Sequence, residues 1–207
     1  VMAVLPADHL IKDTATFRRD LLAGARVAAH SGALLTIGIK PTWACPGFGY
    51  IEQGKRVSDG EPAIYEVKRF REKPDAALAE SFLKQGNFRW NAGMFIWSIP
   101  AIMDELTKQA PELAAFVTRL RTADDLTALL ASDFPLLPKI SVDYAIMEKA
   151  ARVLELESGF DWDDVGSWVA VAKYLAVHEG DNAANCPLTT HDAWHNIVFS
   201  GGKKHVA

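Results

Sequence analysis

Cysteine is scarce in this chain. Cys45 and Cys186 are the only two in 207 residues, too few and too far apart for a disulfide framework or a zinc cluster. Reduced thiols in a cytoplasmic protein are the simple expectation. A basic surplus is also missing: 22 Lys and Arg stand against 26 Asp and Glu, a formal charge of −4. Nucleic-acid binders usually carry a basic patch, so no nucleic-acid partner is expected, while a small anionic substrate needs only local Lys and Arg. No apolar run approaches the roughly 20 residues of a membrane span, so no membrane partner is expected either. The apolar start, Val1 to Leu5, reads as a strand entered midway and not as a signal peptide. His205-Val206-Ala207 likewise stops inside an apparent strand, which suggests an internal piece of a longer protein. Internal repeats and low-complexity tracts are absent.

What is present is an ordinary globular composition, 49% hydrophobic and 23% charged, enough for a sizeable core. Residues 1–5 form a short apolar strand stopped by Pro6. A helix is expected over residues 14–31, with Phe17, Leu21, Ala25 and Ala28 at helical spacing and Gly32 placed to end it. Residues 33–39 read as a second apolar strand. That strand–helix–strand order predicts a right-handed crossover in a parallel sheet. Residues 50–52 and 64–70 read as strands around a turn-prone stretch from Gly54 to Gly60. Asp75 caps a helix to about Gln85, with Ala79, Phe82 and Leu83 as its inner face. Residues 88–98 are strand-like, and helical patterns return at 101–109, 112–121 and 124–131. Ser141 is expected to cap a helix through Ala150, residues 153–156 to form a strand, and residues 168–177 a helix. Composition turns polar after about Gly180, then Ile197-Val198-Phe199 and a Gly201-Gly202 turn follow. The expected division is residues 1–180 as one domain and 181–207 as the start of a β-rich unit.

Asp8, in Leu5-Pro6-Ala7-Asp8-His9, and Asp164, in Asp161-Trp162-Asp163-Asp164-Val165-Gly166, each lie on a loop after an apolar strand. In an open α/β sheet such loops face the crevice where ligands bind. Two carboxylates there suit a hard divalent cation that also takes phosphate oxygens. The plainer reading of any loop Asp is a turn or helix cap, and Asp161 and Asp163 fit it. Gly166 favours Asp164, because it lets the backbone turn sharply beside a ligand. Glu72-Lys73-Pro74 offers a carboxylate for sugar hydroxyls and an ammonium for a phosphate. Neighbours on a strand point to opposite faces, so a loop or bulge must bring both to one ligand; otherwise they are ordinary surface charges. Gly47-Phe48-Gly49-Tyr50 is a glycine-lined sugar face or a hairpin corner. Asn91, in Trp90-Asn91-Ala92-Gly93-Met94-Phe95, offers a donor and an acceptor to sugar hydroxyls. Trp90, Met94, Phe95 and Trp97 read as core. His9 is a ligand contact or a structural histidine.

The order of these segments resembles the bacterial mannose-1-phosphate guanylyltransferase family. The match runs through Leu5-Pro6-Ala7-Asp8-His9, Gly47-Phe48-Gly49-Tyr50-Ile51, Phe70-Arg71-Glu72-Lys73-Pro74-Asp75 and Trp90-Asn91-Ala92-Gly93-Met94-Phe95. It continues through Ser141-Val142-Asp143-Tyr144-Ala145-Ile146-Met147-Glu148 and Asp161-Trp162-Asp163-Asp164-Val165-Gly166-Ser167-Trp168, and so covers nearly the whole chain. The resemblance implies an α/β nucleotidyltransferase (Rossmann-like) mixed sheet with flanking helices, followed by the start of a β-helical C-terminal unit. It implies GTP and α-D-mannose 1-phosphate as partners, GDP-mannose and pyrophosphate as products, Mg2+ as cofactor, and a homodimer through the C-terminal unit. By position, Asp8 and Asp164 match metal-binding aspartates and Glu72 the residue on the sugar hydroxyls. Lys73 matches the residue facing the sugar phosphate, and Gly49 and Asn91 match sugar-pocket positions. Asp8, Lys73 and Asp164 are the catalytic set under this reading. Phe48 stands where many relatives have Tyr, and Cys45-Pro46 replaces a commoner Glu-Thr. The family's Gly-rich loop, roughly G-G-x-G-T-R-L-x-P, has no counterpart in these 207 residues, so the piece alone is expected to be inactive. The alternatives are a non-catalytic sugar-nucleotide-binding regulator, a nucleotidyltransferase for another hexose 1-phosphate, and a glycosyltransferase.

Overall fold

Asp13, Asp75, Ser98 and Asp125 each turn a side-chain oxygen onto the backbone N–H three residues further on, at Thr16, Leu78, Ala101 and Ala128. Each satisfies a donor that the first helical turn leaves unpaired, and a helix starts at each. In the computed structural model, residues 1–175, 181–202 and 204–206 are described. Their elements are β1 (Met2–Val4), α1 (Thr14–Ser31), β2 (Leu34–Ile39), β3 (Tyr50–Arg56), β4 (Ile64–Arg71), α2 (Ala76–Gln85) and β5 (Phe88–Trp97). Then follow α3 (Ile99–Gln109), α4 (Pro111–Leu120), α5 (Leu126–Asp133), β6 (Val153–Glu157), α6 (Trp168–Leu175), β7 (Ala183–Ala184) and β8 (Ile197–Val198). The chain divides into two units: Val1–Ala7 with Ile11–Trp162, and Asp8–Leu10 with Asp163–Ala207.

The first unit is built on a six-stranded sheet in the order β1-β5-β2-β6-β4-β3. The sheet is mixed. β1 and β2 are both antiparallel to β5, and in this sheet only β2 and β6 pair in parallel. The expected parallel neighbours β1 and β2 are therefore separated by β5. A crossover fixes the relative direction of two strands but not what is inserted between them, and β5 comes from about 50 residues downstream. β3 pairs with β4 and also with β5, through Tyr50–Trp90, Ile51–Arg89 and Glu52–Phe88. The pairings of β5, β2, β6, β4 and β3 thus run in a ring.

Side chains alternate across these strands. One face packs Leu35, Ile37, Ile39, Met94, Ile96, Leu154 and Leu156 in a cluster with Ala28 of α1 and Phe82 of α2. The other face packs Leu34, Phe95, Trp97 and Val153 with Ile102 of α3 and Ala145–Met147. The core reading of Trp90, Met94, Phe95 and Trp97 agrees with their burial. On α1, Ala28 is fully buried and Phe17, Leu21 and Ala25 pack half-buried against the same cluster, as expected, while Asp20 and Gly24 beside them are buried as well. Gly24 lets the helix sit close, since a Cβ there would lie 2.7 Å from Ile96 Cδ1. On α2, Ala79 and Phe82 are buried and Leu83 half-buried.

Two expected elements differ. β3 runs four residues past Glu52, into the stretch expected to turn. Gly54 serves that strand by close approach: a Cβ would lie 2.9 Å from the Glu66 carbonyl oxygen of β4. Residues 141–150 do not form a capped α-helix. They hold a single π-helical turn, Asp143–Met147, with no side-chain cap. The expected end of the helix at Val177, and the boundary at residue 180, lie outside the described residues. In the second unit, β7 and β8 pair in parallel, and an isolated parallel bridge joins Leu188 and Val206.

Candidate functional site

β4 ends at Arg71, so Glu72 and Lys73 leave the strand before Pro74. Lys73 adopts φ 42°, a left-handed conformation uncommon outside glycine. This kink is the departure from strand geometry that two neighbouring side chains need in order to serve one ligand. The Glu72 side chain is 13% exposed and the Lys73 side chain 64%, with Lys73 Nζ 3.7 Å from Glu72 Oε1.

Gly49 lies just before β3. A Cβ on it would overlap Glu72 Oε2 and come within 3.3 Å of Asn91 Cβ. The Gly49 carbonyl accepts from the Asn91 backbone N–H at 2.8 Å. Gly49, Glu72, Lys73 and Asn91, far apart in sequence, are therefore gathered at one place in the first unit. Asn91 Oδ1 accepts from Thr36 Oγ1 at 2.9 Å and from the Gly93 backbone N–H at 3.2 Å, and Nδ2 donates to Asp143 Oδ1 at 3.0 Å. An amide N–H can only donate, so the Gly93 contact fixes which end of the carboxamide is oxygen. Of the Asn91 donors, one Nδ2 hydrogen is left for a ligand.

Asp143 and Glu148 are not among the residues that the sequence reading places in the site. Glu148 Oε1 accepts from the Glu72 backbone N–H at 3.3 Å. Their segment carries part of the family resemblance, but a Ser-capped α-helix gives no reason to aim either acid at Glu72. Burial pushes the Glu72 carboxyl above its ordinary range, and the Asp143 charge adds to the shift; Lys73 opposes it and Glu148 adds to it more weakly. The pocket thus holds a carboxylate that accepts hydrogen bonds and a half-exposed ammonium beside it. That combination suits a neutral polyhydroxyl group carrying an anionic substituent.

Asp8 and Asp164 fall in the second unit. An isolated antiparallel bridge joins Leu10 and Asp163, with Leu10 N–H to Asp163 O at 2.8 Å and Asp163 N–H to Leu10 O at 3.1 Å. Asp8 and Asp164 are thereby carried on adjacent segments. Val165 has φ 48°, a costly conformation for a β-branched residue. A Cβ on Gly166 would lie 2.6 Å from Asp164 Oδ2, so the carboxylate folds over that glycine. Among the described residues no group of three or more His, Cys, Asp or Glu side chains forms a metal cage. Two hard oxygen donors do fit Mg2+, which keeps waters and takes substrate phosphate oxygens for the rest of its shell.

The neighbouring aspartates are occupied locally. Asp161 Oδ1 accepts from the backbone N–H groups of Lys12 and Asp13 at 3.1 and 2.7 Å. Asp163 accepts from the Val165 N–H at 2.8 Å and the Tyr174 hydroxyl at 2.8 Å. Burial raises the Asp163 carboxyl, but those two bonds and Lys173 outweigh it, so it lies below its ordinary value.

The mixed sheet with flanking helices is a nucleotidyltransferase fold. The chain belongs to the nucleotidyl transferase family, whose model matches residues 1–179. It is 36% identical over 97% of its length to a mannose-1-phosphate guanylyltransferase of Sinorhizobium fredii, covering 39% of that protein. It is 40% identical over 89% of its length to the xanthan biosynthesis protein XanB of Xanthomonas campestris, covering 38% of it. The chain spans about two fifths of the length of these relatives. A crystal structure described as mannose-1-phosphate geranyltransferase from Thermus thermophilus matches 99% of this chain and 58% of its own, with a TM-score of 0.84 and 30% identity. No helix among the described residues is long and apolar enough to cross a membrane.

Proposed function

We propose that the chain is part of a mannose-1-phosphate guanylyltransferase, joining GTP and α-D-mannose 1-phosphate to give GDP-mannose and pyrophosphate. The observation that carries this reading is the meeting of Glu72 with Gly49 and Asn91. The names of the relatives agree with it. Under this reading Glu72 accepts hydrogen bonds from sugar hydroxyls, Asn91 donates its remaining N–H to one of them, and Lys73 faces the sugar phosphate. Gly49 leaves the room that the Glu72 carboxylate needs.

The sugar phosphate oxygen attacks the α-phosphorus of GTP in line and pyrophosphate leaves. That oxygen is already anionic, so the reaction needs no strong general base. The barrier is largely the approach of two anions, which fixed positive charge and alignment offset. Lys73 supplies charge from this chain. Asp8 and Asp164 would hold Mg2+, which when bound neutralises phosphate charge. A cytoplasmic location and a homodimer through the C-terminal unit belong to the same proposal. So does assignment of residues 181–207 to the start of a β-helix, which the parallel β7–β8 pairing supports.

Calorimetric titration of mannose 1-phosphate into the chain, against a Glu72→Gln variant, tests the reading. Binding by the wild type that falls about tenfold or more in the variant is expected, the scale of losing hydrogen bonds to a charged group. Absence of binding by the wild type would overturn it. The inactivity expected of the 207 residues alone is part of the proposal, and GDP-mannose synthesis by them would refute that part.

A further inference from the structure

The Glu72–Lys73 corner and the Asn91 carboxamide come from different strands, yet one short segment holds both. Asp143 Oδ1 takes the Asn91 Nδ2 hydrogen, and Glu148 Oε1 takes the Glu72 N–H. These acids bracket the π-helical turn Asp143–Met147, whose bond runs from the Glu148 N–H to the Asp143 carbonyl at 3.0 Å. Spacing explains the choice of turn. In an α-helix, residues five apart point about 140° from each other at 3.6 residues per turn. A bond from residue i+5 back to residue i closes a wider turn and brings those two residues onto the same side of it. Ala145, Ile146 and Met147 are buried in the cluster containing Phe70, Phe95 and Val153, which anchors the turn to the sheet. The corner needs such a support, since Lys73 sits at a positive φ, a strained conformation for a residue with a side chain.

We propose that the π-helical turn is the positioning device of the hexose-phosphate pocket, with Asp143 and Glu148 as positioning residues that fix Asn91 and the Glu72–Lys73 corner together. This rests on the sugar-phosphate reading of the same site. It makes the turn, and not the sheet alone, responsible for which pattern of hydroxyls the pocket accepts. Asp143 has a second consequence. The charged groups that act on Glu72 are Asp143 and Glu148 from the turn and its neighbour Lys73. Removing the Asp143 charge therefore lowers the pH at which Glu72 protonates and stops accepting.

The experiment is titration of mannose 1-phosphate and glucose 1-phosphate into the 207-residue chain over a pH series running down from about pH 8. Wild type, Asp143→Asn, Asp143→Ala and Glu148→Ala are compared, with melting temperatures as the folding control. Differences between proteins at each pH cancel the titration of the ligand phosphate. Asp143→Ala and Glu148→Ala are each expected to weaken mannose 1-phosphate binding about tenfold or more and to narrow the preference over glucose 1-phosphate. Asp143→Asn keeps an acceptor for Asn91, so its affinity at about pH 8 stays within about threefold of wild type. Its loss of binding on acidification shifts to lower pH. A merely structural role would not move that acid limb.

Wild type that binds mannose 1-phosphate while both alanine variants bind equally well would overturn this inference and leave the pocket reading intact. Wild type that does not bind would overturn the pocket reading first. Should the alanine variants fail to fold, an acid limb unmoved in Asp143→Asn overturns the inference by itself.

Discussion

The Glu72 carboxylate occupies the volume that a side chain on Gly49 would need. A methyl group there must displace the carboxylate, since the other near atom is Asn91 Cβ at 3.3 Å on the strand itself. Gly49→Ala is therefore expected to weaken mannose 1-phosphate binding about tenfold or more, with hydrogen bonds to a charged acceptor as the scale. The melting temperature should change little, because the glycine serves the pocket and not the core. Calorimetry and a thermal melt check both halves, and wild-type affinity in the variant would contradict the assignment.

Inside the strand ring a second carboxylate sits under different conditions. Glu155 is fully buried, and burial pushes its carboxyl from 4.5 to about 7 against the pull of Gln53 and Arg89. Its Oε2 accepts from Gln53 Nε2 at 3.0 Å, while its Oε1 has no partner. A raised carboxyl pKa favours the protonated folded state. This contribution is complete below about pH 4.5 and disappears as pH rises through about 7. Relative to Glu155→Gln, the wild type should lose about 3 kcal/mol of stability across that window, since each tenfold change in proton affinity on folding is worth about 1.4 kcal/mol. Urea unfolding at about pH 4.5 and about pH 8, on either side of the window, measures it. Parallel behaviour of the two proteins would show that Glu155 is not the titrating group.

Gly38 makes the room for that acid. A Cβ there would overlap Glu155 Oε1 and lie 2.7 Å from Glu155 Cδ and 2.9 Å from Arg89 Cβ. Gly38→Ala is expected to cost about 1–3 kcal/mol or more, the scale of overpacking a filled interior. Adding Glu155→Ala removes the nearest obstacle and leaves only Arg89 Cβ, so the double variant should be less unstable than the sum of the two changes. Additive denaturation energies would locate the strain elsewhere.

Much of this molecule is legible in its sequence, and the gaps have physical causes. The Asp75 cap and the apolar strand Leu34–Ile39 are local signals, read from residue types a few positions apart; Asp13, Ser98 and Asp125 cap their helices in the same way, although the sequence reading does not single them out. Glu72 with Lys73, and Gly49 with Asn91, are visible as chemistry. That they converge depends on β3 pairing with both β4 and β5, a long-range fact. The position of β5 between β1 and β2 is hidden for the same reason. Asp20 shows a subtler failure. It lies on the buried face of α1, where a hydrophobic stripe is sought, and it is buried because its Oδ2 takes the Gly159 N–H at 2.9 Å. Asp143 and Glu148 are missed because a π-helical turn cannot be told from an α-helix by apolar spacing over about ten residues.

Asp20 also carries a stability test. Its Oδ1 receives Arg19 Nε and Nη2 at 2.9 and 2.8 Å. Arg19 is half-exposed, so that pair contributes little by itself. Asp20→Ala strands the Gly159 N–H, at a cost of about 1–3 kcal/mol for a polar group left without its partner. Chemical denaturation reads it, and a loss under about 0.5 kcal/mol would mean that water replaces the carboxylate.

For the second pair of carboxylates the test is a paramagnetic ion. Manganese can stand in for magnesium at oxygen sites, and its binding is read by electron paramagnetic resonance. Asp164→Asn should weaken Mn2+ binding in the presence of GTP by about tenfold or more. Gly166→Ala should weaken it too, although no charge is removed, because the new methyl would sit 2.6 Å from Asp164 Oδ2. Equal Mn2+ affinity in all three proteins would exclude Asp164 as a ligand.

The closing of β3 onto β5 has a kinetic signature in deuterated water. Amides at Tyr50, Ile51 and Glu52 have strands on both sides and are held in bonds that only concerted opening releases. Those of Met2–Val4, with one neighbour and exposed side chains, have no such shelter. Deuterium should therefore label the first strand within the earliest time points and reach Tyr50–Glu52 late, so that the seam where the ring shuts breathes like interior sheet and not like an edge.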